Sequence, residues 1–364
     1  MSSELAVAVA SHGIAAPHCL LRDPLEDAEF DQLLGACEHH RIIGFLGAAV
    51  RDGAFAVTGH QRDRIDSTWQ GWLSHAVRVE RLLLDATTTL ERHGIRSIVL
   101  KGVALAHTEY PETSTRVFGD VDLLVEPHHF TRAAEVLETG IGAERSLPEL
   151  RRGFDNRFGK EILLRARDLE FDLHRMFVEG PYGVAIELSD LWQSPDVFEL
   201  GGREVLALAP PARVLHAAYA AALGDWPPRL NALRDFAQAV LGDPTRLAAA
   251  LALARRWHCD AVVRVACERA RETFSIDLAP DHTELLGPLS RRDRVFLASY
   301  RGGGRGYLRN LAAPIAIRGL GNKVRYVRSV AFPDPAYLGA RGATRQSFVR
   351  EAWAKVRSDR RARS

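Results

Sequence analysis

The sequence predicts an α+β fold, in which a small mixed β-sheet lies between an N-terminal helical region and a C-terminal helical domain. Apolar residues recur at helical spacing near the start of the chain and again through its C-terminal part. Between them, short β-branched runs are bounded by turn residues, which is typical of strands. From these changes in pattern we expect four parts: a helical region (1–94), a sheet-bearing core (95–205), a helical domain (206–340) and a basic tail (341–364).

The composition is that of an ordinary globular protein, with 46% hydrophobic and 26% charged residues. A formal net charge of +2 gives no whole-protein field that would favour nucleic acid. The four cysteines, Cys19, Cys37, Cys259 and Cys267, form no CxxC pair, which favours free thiols in a reducing compartment. We find no basic leader and no apolar run of the ~20 residues that a membrane span needs. We therefore expect a cytoplasmic protein with no membrane partner.

The N-terminal part is predicted to be helical after an irregular lead-in. Residues 1–25 include Pro17 and look irregular, whereas 25–50 have helical apolar spacing. A long amphipathic helix is predicted over 61–93, and Gly94 is a typical residue for its end.

The core and the C-terminal part follow from the same patterns. Residues 95–100 read as a buried strand that ends at Lys101-Gly102, and 118–125 as a second strand. Residues 161–177 read as a hairpin that turns near Arg167-Asp168, and 143–160 as irregular. Helices are predicted over 104–110, 127–138, 214–223, 230–241, 245–257 and 259–274.

Two aspartates in the second strand point to metal chemistry. Successive side chains of a strand alternate between its faces, so Asp120 and Asp122 project together while Val121 and Leu123 point the other way. Two adjacent carboxylates repel each other unless a cation lies between them, and Mg²⁺ prefers oxygen ligands. We therefore predict that this edge binds a metal ion and a nucleoside triphosphate.

The second arm of the predicted hairpin carries another acidic face. Leu169, Phe171 and Leu173 share one side of this arm, and Glu170, Asp172 and His174 share the other. Taken alone, the polar side fits the solvated face of an edge strand equally well. Beside the aspartate pair, a third carboxylate on a neighbouring strand supplies what a two-metal site needs.

These segments resemble the uncharacterised nucleotidyltransferase family of the DNA polymerase β-like superfamily. The resemblance lies in the LKG turn at 100–102, the GDVDLLV of 119–125 and the FDLH of 171–174, and it covers roughly 25–340. It implies a nucleotidyltransferase core in which Asp120, Asp122 and Asp172 hold two Mg²⁺ (or Mn²⁺) ions. It also implies that Gly102 is the turn glycine that approaches the nucleotide.

By this resemblance we expect transfer of a nucleoside monophosphate from an NTP to a hydroxyl or phosphate of an acceptor, with release of pyrophosphate. Lys101 and Arg116 are candidate triphosphate contacts, although each fits an ordinary surface charge as well. His174 fits either an acceptor-orienting or a structural role. The acceptor is left open between a small molecule and a peptide or protein side chain.

Three alternatives use the same residues. A tRNA-directed enzyme of toxin type would track phosphates with Arg151, Arg152, Arg301 and Arg305, but the balanced charge of the chain does not favour nucleic acid. A non-catalytic nucleotide-binding module would tolerate loss of a carboxylate, and all three are present. Glycosyltransferases also use Asp-x-Asp, but the helical first region argues against that fold, and Leu124 stands where a haloacid-type phosphatase needs threonine.

Overall fold

The computed structural model describes residues 2–14, 20–225, 227–279, 288–301, 305–348, 350 and 354. The strands are β1 (Ser97–Val99), β2 (Asp120–Val125), β3 (Glu144–Arg145), β4 (Glu161–Ala166), β5 (Leu169–His174), β6 (Asp196–Leu200) and β7 (Arg203–Ala207). The first helices are α1 (Ser2–Ser11), α2 (Asp27–His39), α3 (Ile43–Arg51), α4 (Gly59–Arg92), α5 (Lys101–Thr108), α6 (Phe130–Ile141) and α7 (Phe154–Phe158). They are followed by α8 (Pro210–Leu223), α9 (Leu230–Gly242), α10 (Thr245–Arg256), α11 (Asp260–Phe274), α12 (Arg291–Ala298), α13 (Arg305–Ala316), α14 (Leu320–Ala331) and α15 (Pro335–Ala340).

The strands form one mixed sheet in the order β3-β4-β5-β2-β1-β7-β6. The central pair, β2 and β5, is parallel, whereas β1 runs antiparallel to β2 and β4 antiparallel to β5. The predicted α+β fold with a mixed sheet between helical regions is therefore confirmed.

The two faces of the central strands have different surroundings. Val121, Leu123, Phe171 and Leu173 are buried in a core that α4 and α6 close. The alternate residues of β2 and β5 point to the opposite side. Because of this alternation, Asp120, Asp122 and Asp172 face away from the α4–α6 core.

On the opposite side, a second core joins the first helices to the helices that follow the sheet. Apolar residues of α1–α3 pack there with those of α8–α11 and with Leu124 of the sheet. Helices α1–α3 thus share a core with α8–α11; α4 adds Ile65 to this core, and its later residues pack on the sheet. The domain boundaries drawn from the sequence stay predictions.

The predicted hairpin is confirmed, and its turn is at the expected place. Arg167 and Asp168 connect β4 to β5 and have φ values of 51° and 63°. Two successive residues with positive φ match the two-residue turn whose twist suits antiparallel strands. Asp is among the residues that tolerate this conformation best.

Three expectations about local structure are wrong or incomplete. The irregular lead-in contains α1, because Ala6, Val9 and Ala10 lie on one helical face and are buried. Residues 143–160 include the short elements β3 and α7. The β6–β7 hairpin was not predicted, although Gly201 and Gly202 both have positive φ at its turn.

Of the cysteines, Cys37, Cys259 and Cys267 are free thiols, and Cys19 lies outside the described residues. Within the part of the chain that the structure describes, we found no helix with the length and apolarity that a bilayer crossing requires.

Candidate active site

The register of the two central strands brings Asp122 and Asp172 side by side. They are direct partners across the parallel β2–β5 pair, and both side chains point away from the α4–α6 core. A ligand atom of each, together with one of His174, lies within 4.8 Å of the others. Two of the three predicted ligands, Asp122 and Asp172, therefore lie together, and the role of all three as metal ligands stays a prediction.

Asp120 is the first residue of β2 and lies two residues before Asp122, on the same side of the strand. Its Oδ1 lies 3.4 Å from Nη1 of Arg41, and its side chain is 20% exposed. Arg41 comes from the connection between α2 and α3 and has a positive φ of 55°. Asp120 is thus paired with Arg41, a residue that the sequence patterns did not identify.

The kinked first turn of α5 brings a lysine to the same carboxylates. Gly102 has φ 25° and ψ −101°, and this kink separates Lys101 from the regular part of the helix. Lys101 Nζ lies 2.8 Å from Oδ1 of Asp122, and the lysine side chain is 34% exposed. Glycine suits this position because it adopts positive φ without the steric penalty of a Cβ.

His174 contacts Asp122 from the other side. Its Nε2 lies 2.7 Å from Oδ1 of Asp122, and its Nδ1 lies 3.4 Å from Oε2 of Glu161. Glu161 Oε2 also forms an ion pair with Lys160 Nζ. The contact with the buried Asp122 favours the structural role for His174, because it fixes the orientation of that carboxylate.

The charges of this cluster shift the pKa values in opposite directions. Burial alone would raise the pKa of Asp122, but Lys101 and the hydrogen bond from His174 hold it well below its usual range. Burial, reinforced by the charges of Asp122 and Glu161, raises the pKa of Asp172 to about 7. The two carboxylates therefore differ strongly in acidity. A dication between them would relieve the repulsion that raises the pKa of Asp172.

Arg116 is engaged by a buried partner. Its Nε and Nη2 donate to the two carboxylate oxygens of Asp235 on α9 at 2.6 Å and 2.7 Å, and Nη1 donates to the carbonyl oxygen of Val117. Tyr110 also donates to Asp235, at 2.8 Å. These bonds tie Arg116 to α9. Its contact with a triphosphate therefore stays a prediction.

The acidic edge opens into a cleft of about 640 Å³ between the sheet and helices α8 and α9, which we call the main cleft. This is within the range of ligand sites in proteins. Six cationic side chains line it: Arg41, Lys101, Arg116, Lys160, Arg229 and Arg309. They are balanced by six carboxylates: Asp120, Asp122, Glu161, Glu179, Asp225 and Asp235. The side chains alone therefore give the cleft no excess charge. Bound dications would make it positive and so attract the negatively charged triphosphate.

The α8 wall of the main cleft includes a histidine that does not carry charge at neutral pH. His216 is 5% exposed, and its ring centroid lies 4.5 Å from that of Phe177. Burial, helped by the nearby charges of Lys101 and His174, lowers the pKa of His216 to about 3. His216 therefore contributes a neutral aromatic surface to the cleft.

The donor set suits a hard divalent cation. Asp122 and Asp172 supply carboxylate oxygens at one edge, and Asp120 lies beside them, which matches the oxygen preference of Mg²⁺ and Mn²⁺. A second group of potential ligands, Glu126, His128 and His129, follows the opposite end of β2. Its two imidazoles suit softer metals, so the two groups differ in chemistry.

Arg151 and Arg152, two of the four arginines expected to contact RNA, do not line the main cleft. Arg151 donates from Nη1 to the carbonyl oxygen of Phe332 at 2.6 Å. Residues 302–304 of the glycine loop and 355–364 of the basic tail lie outside the described residues.

Comparison with known proteins gives one family. Residues 26–275, more than half of the chain, match the model of a family described as uncharacterised nucleotidyltransferase. No curated protein matches the chain. A similar solved structure is the solution structure of the antibiotic-resistance factor ANT(2'')-Ia, with 16% sequence identity and a TM-score of 0.34. The match covers 49% of this chain and 92% of that one.

Proposed function

Because the chain belongs to the uncharacterised nucleotidyltransferase family, we propose that it moves a nucleoside monophosphate from an NTP to an acceptor hydroxyl in a metal-dependent reaction. One observation carries the metal-dependent part of this proposal: Asp122 and Asp172 are register partners on the side of β2 and β5 that faces away from the α4–α6 core. Asp122, beside Asp120, lines a cleft large enough for a nucleotide.

Asp120, Asp122 and Asp172 would hold Mg²⁺ or Mn²⁺, which when bound would neutralise phosphate charge and make an acceptor hydroxyl more acidic. Lys101 binds the triphosphate from the Gly102 turn. His174 keeps Asp122 oriented through its 2.7 Å contact. Asp172, the register partner of Asp122, is the candidate to accept the hydroxyl proton.

In the reaction, the acceptor oxygen bonds to the α-phosphorus while the bond between the α-phosphorus and the bridging oxygen breaks. Pyrophosphate is the leaving group, and the acceptor proton passes to Asp172 or to water. Most of the rate enhancement comes from positioning the reactants and neutralising their charge, because phosphoryl groups need little covalent help from the protein.

The test is to incubate the full chain with each α-labelled NTP, Mg²⁺ or Mn²⁺ and a cell extract, and to measure label uptake and pyrophosphate release. We expect Asp122→Asn to abolish both, because it removes a charge from the carboxylate edge. Glu126→Gln is the matched control, since it removes a carboxylate from the other group of potential ligands and should leave both signals unchanged.

Wild-type transfer by Asp122→Asn would overturn the mechanism. Nucleotide binding without pyrophosphate release in any fraction would instead favour the non-catalytic module. Label in an RNA fraction would favour the tRNA-directed alternative.

A further inference from the structure

A second cavity of about 410 Å³ lies on the β4 side of the acidic edge. Its walls come from β4, the segment before it, and helices α7, α13, α14 and α15. Lys160, Glu161 and Glu179 line both this cavity and the main cleft. The two spaces are therefore neighbours that share a wall of charged side chains.

The register of β4 places this cavity beside the proposed catalytic carboxylates. Leu163 is the direct antiparallel partner of Asp172, so their side chains share one face of the sheet. Leu163 is 43% exposed and lines the second cavity. Asp120 and Asp122, in contrast, line the main cleft. The proposed metal ligands thus lie between the two spaces.

The second cavity has a different chemical character from the main cleft. Phe154, Phe158 and Tyr326 form an aromatic cluster with ring centroids 5.2–5.8 Å apart. Val184 and Val330 add apolar surface. These side chains would favour a ligand with a flat or apolar body.

The second cavity is lined by equal numbers of cations and carboxylates, with Arg341 as its third cation beside Arg145 and Lys160. Arg145 pairs with Asp155, and Lys160 pairs with Glu161. Glu179 lies 3.3 Å from Arg309. A polyanion would find no excess of cations here, and a polycation no excess of carboxylates.

The wall of α14 and α15 is fixed to the loop before α7. Arg151 donates to the carbonyl oxygen of Phe332, and the backbone N–H of Asp334 donates to the carbonyl oxygen of Leu150 at 2.9 Å. Tyr326 donates to Oδ1 of Asn310 at 2.8 Å, which ties α14 to α13. These bonds hold the aromatic wall in place, so the cavity is formed before a ligand binds.

We infer that the second cavity binds the acceptor, and that the acceptor is a compact, uncharged hydroxyl compound with a planar apolar portion. This inference rests on the proposed function, because a transfer reaction needs two substrates that meet at one set of carboxylates. The triphosphate requires the main cleft, which is larger and lined by cations. The second cavity, which is smaller and aromatic, is then left for the acceptor. A ligand seated there, with its hydroxyl directed past Leu163, would reach Asp172.

The test uses 2-naphthol as the probe, because it is neutral, planar and carries one hydroxyl. Its binding to the full chain is measured by its fluorescence. We expect Leu163→Trp to weaken binding at least tenfold, because indole fills the cavity beside Asp172. Val197→Trp is the matched control: Val197 is a 45% exposed strand residue outside both cavities, and its replacement should leave the Kd unchanged.

Two further measurements control for a poorly folded variant and for failure of the proposed function itself. Val330→Trp fills the cavity from the α14 wall and should give the same loss if Leu163→Trp folds poorly. Binding of Mn²⁺ with labelled NTP should stay at the wild-type level in Leu163→Trp and fall in Asp122→Asn. If Asp122→Asn leaves that binding unchanged, the proposed function fails, whatever the probe does.

The acceptor inference itself is overturned if 2-naphthol does not bind the wild type, or if both filled variants bind it with the wild-type Kd. It is also overturned if Leu163→Trp instead abolishes binding of spermine or of an oligouridylate. Those two probes represent a polycationic and a polyanionic acceptor.

Discussion

Lys101 and Asp122 form an ion pair at the carboxylate edge, with Nζ 2.8 Å from Oδ1. Partial burial lowers the pKa of Lys101, but the charges of Asp122 and Asp120 outweigh this and raise the pKa above its usual value. Lys101 is therefore a permanent cation that offsets the charge of Asp122. A dication that binds at Asp122 must share this carboxylate with the lysine.

Replacing Lys101 with methionine should separate metal binding from nucleotide binding. Mn²⁺ affinity without nucleotide should rise, because a competing cation is removed from Asp122. The KM for the NTP should rise about 10–100-fold, since a hydrogen bond to a charged group contributes about 1.5–3 kcal/mol. Electron paramagnetic resonance of free Mn²⁺ and initial rates measure the two effects.

Lys323→Met on α14 is the control, because Lys323 lines neither cavity. Lys101→Arg should recover part of the NTP affinity. A Lys101→Met variant with unchanged KM would show that Lys101 does not contact the triphosphate.

Loss of the buried Arg116–Asp235 pair should destabilise the fold. Their side chains are each 6% exposed, so Asp235→Asn leaves a buried guanidinium without a compensating charge. We expect a loss of about 3–5 kcal/mol in the free energy of unfolding, measured with urea. Arg116→Met together with Asp235→Leu should lose less than the sum of the single changes, because neither charge is then left alone.

The exposed pair Arg64–Asp31 provides the comparison, with N···O 2.6 Å but side chains 35% and 58% exposed. Arg64→Met should change the free energy of unfolding by less than about 1 kcal/mol. Equal losses for the two pairs would contradict the argument from burial.

The carboxylate edge formed by Asp122 and Asp172 was predictable because its information is local. Alternation along β2 and β5 places Asp122 and Asp172 on one face, and only the pairing of the two strands had to be added. Arg41 and Asp235 were not predictable. Arg41 reaches Asp120 across 79 residues of chain, and Asp235 reaches Arg116 across 119.

Among the missed elements, α1 and the β6–β7 hairpin were missed for different physical reasons. The stripe of α1 is made of small residues, Ala6, Val9 and Ala10, and becomes clear only when α2, α3 and α9 pack on it. The β6–β7 hairpin had a local signal in Gly201-Gly202, which is a typical hairpin turn. The second cavity was not predictable, because its aromatic lining comes from α7, α13 and α14, which only the fold brings together.

Gly102 should not tolerate a side chain, for a backbone reason. A Cβ there would lie 3.4 Å from Cβ of Phe118, which is ordinary contact, but φ is 25° and ψ is −101°. We expect Gly102→Ala to lower the free energy of unfolding by about 1–2 kcal/mol. Transfer activity should fall further, since the turn also positions Lys101.

Gly35→Ala is the matched control for this change. Gly35 lies within α2, and a Cβ there meets no atom within 4 Å. The substitution should raise the free energy of unfolding by about 0.5–1 kcal/mol, because alanine is the better helix former. If both variants change stability in the same direction, the special backbone conformation of Gly102 is not responsible.

His216 should make the protein sensitive to mild acid. The pKa of its imidazole is about 3 in the fold, against 6.5 as the ordinary value. Between these pH values the unfolded chain binds a proton that the folded chain does not, so stability rises with pH and is lost as the pH falls below 6.5. From pH 7 to pH 5, this one group should lower the free energy of unfolding by about 2 kcal/mol.

His216→Phe removes this proton uptake and keeps an aromatic ring against Phe177. Urea unfolding at several pH values should therefore show that the variant gains on the wild type as the pH drops from 7 to 5. Phe177→Leu disturbs the same contact without removing a titrating group, so its stability difference should be nearly constant with pH. Parallel pH profiles for wild type and His216→Phe would mean that His216 is protonated in the folded protein as readily as in the unfolded chain.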